Sequence, residues 1–225
     1  MGDDWKNTRK GENTRKRILQ AARTVFSNHP YHSASVRMVG KAGNFDHPII
    51  HYYFPKKAGL FDAVVDELLD EIKVFANSWY KDLETMSIGK SFSVFLDRLF
   101  EFHFNSPDLF RLIMQNTAHV EDYENFPGAE KYTLFHENFL KTFKERIVYT
   151  APPEDVRRFV YSFTVVATNY LGASSTYAQF LGLDPSGSEY WAWVKETLMF
   201  IFLPRLRKII VYTEDEKKDQ ATEQN

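Results

Sequence analysis

Apolar residues recur along this chain at the spacing of helices buried on one face. Ile18, Ala21, Ala22, Val25 and Phe26 fall at i, i+3, i+4, i+7 and i+8, which predicts a helix over about residues 13–27. Arg15, Lys16, Arg17 and Arg23 fall off that stripe and are expected to stay in water. Residues 1–11 are polar and expected to lack structure, and Asn28-His29-Pro30 ends the helix. A second stripe, Leu60, Val64, Leu68, Ile72, Phe75, Ala76 and Trp79, predicts a long helix over about 57–83, roughly 40 Å at about 1.5 Å per residue. Phe92, Phe95, Leu96, Leu99, Phe102 and His103 mark a helix over 88–105 that is apolar nearly all round. Further helices are predicted from Ser106-Pro107-Asp108 to Thr117, over 129–149, over 153–181, and from a Ser188 cap to about 211. The acidic segment 120–128 reads as a loop, 182–187 as a turn, and 213–225 as a frayed polar tail. No stretch alternates with the period of a strand, so the class is all-α.

Between the first two stripes lies SASVRMVGKAGNFDHPIIHYYFPKK, residues 33–57. Ser35 is a good N-cap for a short helix with Val36 and Val39 inside. Gly43-Asn44 can take the left-handed backbone that ends it. Asp46 is a second cap signal with Pro48 just inside the new helix, and Ile50, Tyr53 and Phe54 form its buried side, with the Tyr53 hydroxyl at the surface. Two helices this short need a third beneath them, and the 13–27 helix is at hand. This is the helix-turn-helix arrangement, whose second helix enters the DNA major groove; a purely structural helical hairpin fits the stretch as well.

Charge bears on that choice. Residues 1–57 hold eleven Lys and Arg against four Asp and Glu, whereas the remainder holds seventeen against twenty-six. A basic end on an acidic body suggests that one end meets a polyanion. With no cysteine, disulfides and thiolate metal sites are excluded, in keeping with a cytoplasmic protein. No apolar run is long enough for a membrane span, and the N-terminus is too charged for a secretory signal. No Gly-rich phosphate loop, G-x-S-x-G elbow, H-E-x-x-H or Glu-x-x-His occurs. His136-Glu137 are adjacent and not spaced for a shared metal, and His103, His119 and His136 read as single satisfied histidines, so no catalytic residue, metal or cofactor is expected.

Chemistry for DNA is better defined. Arg37 can reach a guanine edge or a phosphate. His47, Pro48 and Ile49 lie in the first turn of the second short helix, where groove contacts concentrate; His47 can hydrogen-bond, and the other two offer apolar contact. Ser35, His51, Tyr52 and Lys57 can hold phosphates, Lys57 at a helix N-terminus that itself favours anions.

The same stretch carries a resemblance. Thr14-Arg15, Ile18, Ala21-Ala22, Phe26, Tyr31, Ser35-Val36, Ala42-Gly43, His51-Tyr52-Tyr53-Phe54, Lys57 and Leu60 resemble the TetR family of transcriptional regulators over residues 12–61. Departures are Pro30, His51, Gly40 and Asn44, where the family often has Gly, Tyr, Ala and Gly. The resemblance implies base-facing roles for the positions of Arg37, His47, Pro48 and Ile49 and backbone contacts for those of His51, Tyr52 and Lys57. It also implies a homodimer on a palindromic double-stranded operator and a C-terminal domain that binds a small effector. The expected domains are 11–60 for the helix-turn-helix and 61–212 for a helical bundle that binds ligand and dimerises.

The chain's 20 Phe, 12 Tyr and 4 Trp suit a hydrophobic effector. Phe75, Trp79, Phe95, Phe102, His103, Phe110, Met114, Phe139, Phe163 and Tyr170 are the candidate pocket, with Asn169 as an inner polar group; each equally suits a plain core. In the 153–181 helix, Thr164, Thr168, Gly172 and Ser175 offer a face for close approach. The last helix is apolar on two faces, Trp191, Val194, Leu198 and Ile201 on one and Tyr190, Trp193, Thr197 and Phe200 on the other, as a dimer interface requires. The expected function is a ligand-responsive DNA-binding regulator, most simply a repressor. A helical enzyme or carrier of apolar molecules, and an architectural DNA-binding protein without an effector, are the alternatives.

Overall fold

A computed structural model describes residues 9–117 and 126–210, the side chain of Asn77 excepted; the 213–225 tail, His119 and most of the acidic segment lie outside the described residues. Among the described residues the chain is helical throughout: α1 (Arg9–Asn28), α2 (Val36–Gly43), α3 (His47–Tyr53), α4 (Lys57–Trp79), α5 (Ile88–Asn105), α6 (Asp108–Thr117), α7 (Ala129–Arg146), α8 (Pro153–Gly172), α9 (Ser174–Leu181) and α10 (Ser188–Ile209), with a 3-10 turn over Leu83–Thr85. Tyr149 and Ile210 form an isolated bridge. No described helix is long and apolar enough to cross a membrane.

The class is as the pattern predicts, but several boundaries move. α1 begins at Arg9, because Lys and Glu are good helix formers and the Thr14 hydroxyl donates to the Lys10 carbonyl at 3.0 Å. α4 stops at Trp79 rather than near residue 83. Asp82 adopts a left-handed φ of 59°, and Arg98 Nη1 donates to the carbonyls of Trp79 at 3.0 Å and Lys81 at 2.7 Å. The guanidinium thereby satisfies carbonyls that a helix end leaves over. α7 ends at Arg146, since Tyr149 pairs with Ile210 and the Thr150 N–H donates to the Ile209 carbonyl. The helix expected over 153–181 is two, broken where Ala173 turns to φ −113° and ψ 29°; the apolar period runs on through the break and hides it. Gly187, not Ser188, caps α10, and Pro204 lies inside that helix.

The chain divides into two compact units, the first ending at Ile72 and resuming over Ser106–Thr133, the second comprising the rest; the sequence reading draws its boundary after residue 60. In the first unit Ile18, Ala22 and Phe26 of α1, Val39 of α2, Ile50 of α3 and Leu60, Phe61, Val64 and Leu68 of α4 are fully buried. Phe26, Tyr31, Phe61 and Phe126 pack edge to face around them, with centroids 5.0 to 5.8 Å apart. In the second unit the core is a run of aromatic rings from α4, α5, α7, α8 and α10.

Arg23 overturns its expectation of staying in water. It is buried, with Nε donating to Asp108 at 2.8 Å, Nη1 and Nη2 to Glu71, and Nη2 to Ser106 Oγ at 2.7 Å. Ser106 Oγ donates in turn to Glu71. One side chain thus ties α1 to α4 and to the start of α6. Burial pulls the guanidinium down, but Glu71 and Asp108 outweigh it and hold it above its ordinary value. Nearby, burial raises the Glu67 carboxyl above its usual range, opposed by Arg23 and reinforced by Glu71.

Arg23→Met should lower stability by about 3 kcal/mol, the lower end for breaking a buried ion pair, because Glu71 keeps part of its hydration; urea unfolding measures it. Glu67→Gln should raise it. The unfolded carboxyl releases its proton at lower pH than the folded one, so its contribution is full in acid and is lost as pH rises through the folded value. The variant should therefore melt above the parent at pH 7, with the gap closing toward pH 4.

Candidate nucleic-acid interface

The three N-terminal helices are set by caps and close backbone approaches. Ser35 has extended backbone, and its hydroxyl accepts the Met38 N–H at 3.3 Å. After Gly43, Asn44 takes φ 54° and ψ 52° and its N–H returns to the Gly40 carbonyl. The turn is tight: a Cβ at Gly40 would sit 2.8 Å from the Phe45 carbonyl oxygen, and one at Gly43 2.6 Å from the Phe45 ring and 2.8 Å from the Ala21 Cβ. Asp46 precedes α3 at the cap position, but its carboxylate makes no capping bond; Pro48 stands in the first turn. The cap position and the first-turn proline are where the sequence predicts them.

α3 has two unlike sides. Ile50 is fully buried and Phe54, just past the helix end, nearly so. Arg15 lies 5.1 Å above the Phe54 ring and Arg17 5.0 Å above Phe45, cation–π contacts that hold two exposed cations of α1 beside α3. Tyr53 is half-buried and its hydroxyl oxygen is buried rather than at the surface. On the outer side His47, Pro48 and His51 are exposed and Ile49 and Tyr52 half-buried, with Arg37 exposed on α2 and Ser35 half-buried at its cap. The His47 and His51 rings are 4.3 Å apart. His51 Nδ1 lies 3.2 Å from the Pro55 carbonyl. A carbonyl only accepts, so Nδ1 carries the proton in that contact and Nε2 is left for an outside partner.

Lys57 differs from the free phosphate clamp expected of it. Its ammonium donates to the carbonyls of Tyr31 at 2.8 Å and Ala34 at 3.1 Å and lies 4.0 Å from the Tyr31 ring centroid. Burial lowers its pKa from the ordinary lysine value and raises that of the Tyr31 phenol. Two of its three N–H bonds therefore fasten the loop before α2, and one is left for an anion. Sequence spacing contains no sign of this, since the partners are backbone carbonyls.

The candidate pocket residues fall in both units. Phe110 and Met114 belong to the first, Phe110 buried and Met114 half-buried on α6. In the second, Trp79, Phe95, Phe102, Phe139 and Phe163 form a continuous set of ring contacts at 5.6 to 6.4 Å, joined by Phe75 against Phe102 at 5.2 Å. Phe92, Phe159 and Phe202, which the sequence reading did not single out as pocket residues, also pack on Phe163. Helical spacing from Phe163 to Phe159 was the available clue. His103 is buried against Trp191 at 5.1 Å, Tyr170 packs on Tyr177 and Trp193, and the Asn169 amide donates to the Val165 carbonyl of its own helix at 2.9 Å. An open groove of about 390 Å³ between α5 and α10 is lined by Phe100, Phe104, Trp191 and Lys195 and by none of the candidates.

Residues 18–64 match the family model for bacterial regulatory proteins of the tetR family. Over 105 residues the chain is 27% identical to an uncharacterized HTH-type transcriptional regulator, YdgC, of Bacillus subtilis; the match takes in 46% of this chain and 54%, about half, of that protein. Its fold is like that of a proposed TetR-family transcriptional regulator from Mesorhizobium loti (TM-score 0.61, 15% identity, 91% of this chain and 100% of the other). It is similarly like a TetR-family regulator from Agrobacterium tumefaciens (TM-score 0.58, 15% identity, 89% and 99%). The proteins matched are described as transcriptional regulators. With α1 to α3 spaced and capped as described, residues 18–64 are similar in sequence to the DNA-binding segment of tetR-family regulatory proteins, and the fold is similar to that of proteins described as TetR-family regulators.

Proposed function

We propose that the chain is a cytoplasmic, ligand-responsive repressor that binds a palindromic operator as a homodimer and is released by a small apolar effector. Residues 11–60 read DNA and residues 61–212 bind effector and dimerise. The observation that carries the reading is the two-sided α3: its inner face is locked by Ile50, while His47, Pro48 and His51 stand exposed beside Arg37 and the cations of α1. Arg37, His47, Pro48 and Ile49 meet base edges, and Ser35, His51, Tyr52 and the remaining N–H of Lys57 hold phosphates. Support for the dimer comes from apolar side chains left in water on α8 and α10: Val165 is 52% exposed, Ile201 45% and Phe200 84%. A second copy packed there would cover them and set two recognition helices about 34–36 Å apart, or a multiple, for successive major grooves. An effector acts by binding the DNA-free arrangement more tightly than the DNA-bound one, and the aromatic core of the second unit suits it.

Selection of bound sequences from a random duplex library, at physiological salt, should recover a palindrome; a folded protein that enriches nothing would sink the reading. Arg37→Ala and His47→Ala should change which sequences are bound while leaving the melting temperature unaltered. Lys57→Met should do two things: weaken binding to all sequences, reducing the salt slope by about one, and lower stability by about 1–3 kcal/mol, because the Tyr31 and Ala34 carbonyls lose their donor. Sedimentation of Phe200→Asp should show monomers where the parent shows dimers.

A further inference from the structure

Two hydrogen-bond donors in the aromatic core have no partner among the described residues. Trp79 is 1% exposed and Tyr80 8%, yet the Trp79 indole Nε1 and the Tyr80 hydroxyl are both buried and unbonded. They are consecutive residues, and both rings pack on one side chain, Phe95, at 6.1 and 5.6 Å. Their backbone is fixed by Arg98, which binds the carbonyls on either side of Tyr80. Buried donors are nearly always matched. Both rings pack on Phe95, and neither polar atom has an acceptor among the described residues.

Resting on the reading of this core as the effector site, we propose that the effector is a neutral apolar molecule carrying a carbonyl-type oxygen, which accepts from Trp79 Nε1 and the Tyr80 hydroxyl. An acceptor is required because the Trp79 indole can only donate, and the Tyr80 hydroxyl can donate to the same oxygen. Neutrality follows from the surroundings. Phe95, Phe102, Phe139 and Phe163 bring no charge to the rings around these donors, so a carboxylate enclosed among them would give up its hydration without a charged side chain of this ring set to replace it. The apolar body replaces ring contacts of the cluster. That cluster reaches the surface, since Phe75 is 36% exposed and Phe139 half-buried.

The test uses the full chain and two probes of matched shape, acetophenone and ethylbenzene, which differ by a carbonyl in place of a methylene. Acetophenone should bind about tenfold more tightly, the worth of a net hydrogen bond. It should also move one indole N–H proton resonance downfield, the one missing from Trp79→Phe. Tyr80→Phe removes an unmatched hydroxyl, so without probe it should melt above the parent, and its preference for acetophenone should shrink several-fold. Equal binding of the two probes, binding of neither, or a Tyr80→Phe variant that melts below the parent would each overturn the proposal. These outcomes are separable from the regulator reading. Equal binding that still releases the operator removes only the carbonyl class, whereas failure to select any operator strikes the regulator reading and leaves the probe preference of the free protein as measured.

Discussion

The guanidinium of Arg23 is the constraint on which the N-terminal unit depends. It joins α1, α4 and the first turn of α6 through Glu71, Ser106 and Asp108. Two carboxylates and a hydroxyl around one cation form a network in which each member needs the others, since any one left alone in the interior carries its desolvation unbalanced. The apolar contacts of Ile18, Ala22 and Phe26 supply the larger share of burial, but apolar contacts are non-directional. The ion network fixes how α1 is turned about its axis, and α2 and α3 are built on α1.

From that base the outer face of α3 follows by short-range geometry. Gly40 and Gly43 let Phe45 fold back onto α2, and Asn44 supplies the left-handed residue between them. Lys57 then fastens the loop that carries Tyr31 and Ala34. The consequence is division of labour among the cations. Arg37 stands in water, Arg15 and Arg17 rest on aromatic rings, Lys57 is a strut with one N–H to spare, and Arg23 is wholly structural. A net positive charge over residues 1–57 is therefore an upper bound on what this end can present to a polyanion.

Polar edges of the aromatic rings are treated in more than one way. In the first unit the Tyr31 N–H donates to the Asn116 side chain at 2.8 Å and the Tyr31 carbonyl accepts from Lys57. In the second, Trp79 and Tyr80 carry donors that the surrounding rings cannot match. A core built only for stability gains from removing such donors, because an unmatched buried donor is destabilising whereas an apolar isostere is neutral or better. Retaining them is a stability deficit of the kind found at functional sites.

The all-α class, the order of the helices, the caps at Ser35 and Asn44 and the buried stripe of α1 were legible in the sequence. Each rests on local backbone preference or on a period that survives without partners. The break at Ala173 was not, since the apolar period passes through it unchanged, and neither was the early end of α4, which depends on Arg98 from another helix. Arg23 lies off the apolar stripe and so reads as a wetted residue; only the approach of Glu71 and Asp108, far away in sequence, makes its burial possible. Lys57 follows the same rule, its partners being carbonyls that no side-chain pattern announces. The sequence by itself determined which segments are helical and which end of the chain is basic, because those are properties of neighbours along the chain. Tertiary structure alone decided which charges face water and which buried donors go unmatched, because burial depends on what the rest of the chain brings against a side chain.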